Sequence, residues 1–133
     1  MRLLPILSLV TLLLISSVGC ASSGDGDRTR ATAGRDAISL EMIEEIAASV
    51  QDAYAVVDRL RPQWLRSRGS MSIRNPQPVY PVVYVDGQRY GDLDSLRTLG
   101  VQSLGSLQFI SAAAATTRYG TGHAGGAILV VTR

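Results

Sequence analysis

Chemistry needs side chains that can attack, move a proton, hold a metal or grip a charge, and this chain carries few of them. Cys20 is its one cysteine and His123 its one histidine. A lone cysteine closes no disulfide within the chain, and a lone imidazole excludes a site built on several histidine ligands. All thirteen basic residues are arginines; there is no lysine. Five of them, Arg59, Arg61, Arg66, Arg68 and Arg74, lie close together around Trp64 and Leu65. One reading makes Trp64, Arg66 and Arg68 a surface for an anion, a lipid headgroup or a partner. The competing reading is a solvated rim whose arginine stems cover Trp64, packed inward beside Leu65.

The second place where spacing suggests chemistry is the loop around His123. Gly120, Gly122, Gly125 and Gly126 crowd it, and Gly120 to Gly125 reads G-x-G-x-x-G. That run follows a helical stretch and precedes an extended one, the reverse of the dinucleotide-binding order. No cofactor is expected there. The glycines are read as backbone positions with positive dihedrals, with Gly120 and Gly122 candidates for partner contact and His123 as an exposed loop residue. Glu44 and Glu45 are adjacent and cannot face each other on one helix, so they are read as surface charges. Asp92 and Asp94 lack the six to eight oxygens of a calcium loop and suit helix capping instead. No metal site is expected.

The N-terminus reads as an address. Met1-Arg2 precedes an apolar run from Leu3 to Ile15, interrupted by Pro5, Ser8 and Thr11. It is shorter than the roughly 20 residues that span a bilayer and has the length of a secretory leader's apolar region. Ser17-Val18-Gly19-Cys20 then resembles a bacterial lipobox, which implies a diacylated Cys20 as the mature N-terminus. Ordinary secretion is the other reading, since Ser17-Val18-Gly19 also fits small-x-small cleavage. Several acyl chains, each methylene contributing about 0.8 kcal/mol, anchor a protein stably. Ala21 after the cysteine leans towards the outer membrane, where an aspartate often signals inner-membrane retention. With Arg2 removed, twelve basic residues against eleven acidic ones leave a net charge of about +1, and no nucleic-acid partner is expected.

The expected organisation is a leader over 1–19, a lipidated cysteine and tether over 20–38, and an α+β domain over 39–133. The tether has no large apolar residue from Ala21 to Ala37 and cannot offset its ordering entropy. Apolar residues at Ile43, Ile46, Val50, Ala53, Val57 and Leu60 predict a helical segment with one buried stripe, capped at Ser39, and Ser49-x-x-Asp52 offers a second start that would break it near Ala48. Pro62 ends it. Val79 to Val85 is β-branched and aromatic and predicts a strand, with Pro81 at its start or on an edge. Asp86-Gly87 predicts a tight turn, after which Gln88-Arg89-Tyr90 pairs back. Leu93, Leu96 and Leu99 face inward from a short capped helix. An extended Ser106 to Ile110 sends Leu107 and Phe109 one way and Ile110 the other. Ala112 to Tyr119 reads as a short helix, and Ala127 to Thr132 as the last strand.

Taken together, these motifs resemble the plug domain of TonB-dependent outer-membrane receptors. Pro81, Tyr84, Val85, Asp86 and Gly87 match its first strand and turn. Leu104, Leu107 and Phe109 match the apolar positions of the next, and Ala112 to Ala115 lead into Tyr119-Gly120. Gly126, Ile128, Thr132 and Arg133 match the last strand. The likeness covers roughly the final 55 residues and rests on short structural motifs. Gly105 and Gln108 stand where the family often has acidic residues. A receptor continues into a barrel of at least about eight strands; this chain stops at Arg133, so transport is not carried over. The resemblance implies a helical segment packed on a small mixed sheet of three or four strands. It implies a non-catalytic outer-membrane lipoprotein, lipid-anchored on the periplasmic face, that binds or stabilises an outer-membrane or periplasmic protein. Two other readings stand beside it: an accessory subunit for a separately encoded receptor barrel, and a periplasmic enzyme for which no nucleophile, base and orienter are visible together.

Overall fold

The computed structural model describes residues 34–68 and 78–133. The leader, Cys20, most of the expected tether and most of the expected loop after Arg68 lie outside the described residues. The fold is α+β. Its elements in chain order are β1 (Ala37–Ile38), α1 (Leu40–Ile46), α2 (Ala53–Leu60), β2 (Val82–Val85), β3 (Gln88–Gly91), β4 (Leu104–Ile110), α3 (Ala112–Tyr119) and β5 (Ala127–Thr132). Five strands form one sheet in the order β1-β4-β5-β2-β3. Only β2 and β5 run parallel; the other pairs are antiparallel.

The break expected near Ala48 is present and divides the helical segment into two helices. Ile46 and the turn Ala47–Ser49 close the first, and Val50 is extended. Asp52 starts the second: its carboxylate accepts from Ala55 N at 2.8 Å. The break is used. Ala53 N donates to Leu99 O at 2.9 Å and Val101 N to Gln51 O at 3.0 Å, so the linker pairs with a distant loop and its backbone groups are not orphaned. Ser39 holds the position of a cap on α1, but its side chain makes no capping bond. Leu60 is the last residue of α2, and Pro62 opens a 3-10 turn that needs no N–H from it.

The sheet has one strand more than the upper end of the expected range, because Ala37–Ile38 pair with Gln108 and Leu107. Two residues assigned to the tether therefore belong to the domain. Their apolar content is too short to show a period. The central strand β5 feeds two cores by simple alternation. Ile128 and Val130 join the larger one, with Ile43, Val56, Val57, Trp64, Val83, Leu96, Leu104, Leu107 and Phe109. Ala127 and Leu129 join Tyr84, Val82, Ile110, Ala115 and Tyr119 on the other face. Helices α1 and α2 thus close one face and α3 the other.

Leu104 and Leu107 both enter the larger core, although three residues apart they should face oppositely on a flat strand. The register shifts between Leu104 and Ser106, a bulge that restores the common direction. Gly105 sits there against the chain opposite, where an added Cβ would stand 3.1 Å from Val131 O. The turn between β2 and β3 has positive φ at both Asp86 (49°) and Gly87 (82°). That is the pair of dihedrals a two-residue hairpin of matching twist requires.

Candidate functional site

The glycine loop is built over a buried aromatic cluster, and His123 belongs to that cluster. It is 5% exposed, so the expectation of an exposed loop histidine is corrected. Its Nδ1 lies 2.8 Å from Gly120 O. A carbonyl only accepts, so Nδ1 carries a proton, and in the neutral ring Nε2 is an acceptor. Tyr84 supplies the donor: its hydroxyl meets Nε2 at 2.8 Å. Tyr119 stacks on Tyr84 with ring centroids 3.9 Å apart and planes 16° from parallel. The sequence hid this partnership because 39 residues separate Tyr84 from His123. With each ring nitrogen committed to one partner, the arrangement pins the loop to β2.

The loop returns to the sheet through a close approach. Gly126 has φ 85°, and a Cβ there would stand 2.5 Å from Ile110 O and 2.7 Å from Phe109 Cζ. A Cβ on Gly125 would collide with Tyr80 O. Gly120 and Gly122 also have positive φ, 87° and 96°, but an added Cβ would meet none of the described residues within 4 Å there. They are exposed positions on the loop.

The arginine cluster divides. Trp64 is fully buried and lies against Phe109, ring centroids 5.9 Å apart. It cannot be a docking residue and is corrected to core, because its indole is the largest side chain filling the space between α2 and β4. Its Nε1 is buried and finds no acceptor among the described residues. Arg66 and Arg68 are exposed. The Arg68 guanidinium lies 4.2 Å over the Phe109 ring, and Arg68 N donates to Val79 O at 2.8 Å. Arg68, Val79, Tyr80, Phe109, Gly125 and Gly126 therefore meet at one junction. The arginines and the base of the glycine loop are neighbours, although their sequence positions gave no sign of it.

Asp86 has a structural partner. Its carboxylate accepts from Thr132 Oγ1 at 2.6 Å and from Thr132 N at 3.0 Å. The hydroxyl bond first, and the backbone bond second, hold its carboxyl below the ordinary aspartate range. Asp86 N also donates to Val130 O at 2.9 Å. The first hairpin and the last strand are tied together at this point.

A surface groove of about 350 Å³ is lined by Tyr54, Leu65, Tyr80, Asp92, Leu93 and Asp94. Arg97 closes part of it, 3.8 Å over the Tyr54 ring and 3.6 Å from Asp94. Among the described residues no group of three or more His, Cys, Asp or Glu is placed to hold a metal, and no helix is long and apolar enough to cross a membrane. No family model, curated protein or solved structure matches the chain.

Proposed function

We propose that the protein is a non-catalytic outer-membrane lipoprotein whose plug-like module binds or stabilises an envelope partner, anchored through acylated Cys20. One observation carries the plug-like reading. The two strands that bear the resembling motifs lie side by side, in parallel register from Val82 and Ala127 to Val85 and Val130. Asp86 then grips Thr132. Motif residues more than forty positions apart thus form one structural unit, which supports reading them as a module. The side chains with most chemical potential are occupied structurally: His123 in pinning the loop, Asp86 in tying two strands.

Two measurements test this. Mass spectrometry of the membrane fraction should find a lipid-bearing N-terminal peptide beginning at Cys20; a free thiol there, on protein released by salt, sinks the anchor. Photo-crosslinkers at Thr121 in the loop and at Arg66 should capture a discrete outer-membrane or periplasmic protein in intact cells. A receptor barrel as that protein would make the chain its accessory subunit. Saturable turnover that survives purification would overturn the binding reading.

A further inference from the structure

We draw no further inference here: the strongest candidate, the surface groove of about 350 Å³ between the start of α2, the 3-10 turn Pro62–Leu65 and Asp92 to Asp94, carries nothing because Asp94 already pairs with Arg97 and nothing in the structure shows what fills the rest.

Discussion

Asp86 shows how one residue serves backbone and side chain together. It adopts φ 49°, a region that Asp and Asn tolerate better than most residues, and its carboxylate holds both donors of Thr132. The lowered folded-state pKa fixes the sign of a pH effect. A group depressed in the folded state contributes stability above its unfolded pKa, about 3.9 for aspartate, and loses it as pH falls through the folded value. Asp86→Asn keeps the turn and removes the charge. Wild type should therefore melt higher than the variant at neutral pH, and the gap should close below about pH 4. A gap that widens on acidification would contradict the assignment. His123 gives the second prediction at this scale. Tyr84→Phe keeps the stack on Tyr119 but leaves a buried Nε2 without its donor, which costs about 1–3 kcal/mol in denaturant unfolding. A variant as stable as wild type would show that the pin contributes little.

At the scale of elements, what was legible in the sequence was local. The Asp86-Gly87 turn, the arm after it, the helix after Ser111 and the facing of Leu107 and Phe109 against Ile110 all follow from neighbours in the chain, and the structure has them. What escaped depends on distant segments. The break near Ala48 was legible, but the pairing of its linker with Leu99 and Val101 was not; β1 exists because β4 offers an edge. Trp64 packs inward, as the solvated-rim reading had it, but no spacing around Arg59 to Arg68 reports that its partner is Phe109. Trp64→Ala should accordingly cost about 3–5 kcal/mol, read as a shifted denaturant midpoint. Gly126→Ala tests the close approach. It combines positive φ with collisions against Ile110 O and the Phe109 ring, so it should destabilise by more than the roughly 1–2 kcal/mol that a left-handed backbone alone costs a residue with a Cβ. Gly122→Ala meets none of the described residues and carries only the dihedral penalty. If the two variants melt alike, the junction at Phe109 is looser than its geometry implies.

For the whole molecule, the sheet order decides where stability concentrates. β5 is the middle strand, bonded to β4 along one side and β2 along the other, and its side chains alternate into both cores. Opening it requires breaking two ladders and exposing two apolar clusters at once. β3 has a partner on one side only, with Gln88, Arg89 and Tyr90 exposed, and β1 contributes two residues. Native-state exchange should therefore be slowest for amides of Ile128 to Val130, which should open only with global unfolding. Ladder amides of β2 and β4 should follow. The β3 amides should exchange through a smaller local opening, because they can leave without disturbing either core. The ordering also separates the module from its ends: replacing Ile38 with a polar residue should speed exchange in β4 by releasing β1, while β2 and β5 stay slow. If loss of Ile38 instead accelerates all five strands together, the domain is a single cooperative unit in which the entry strand is as integral as the centre.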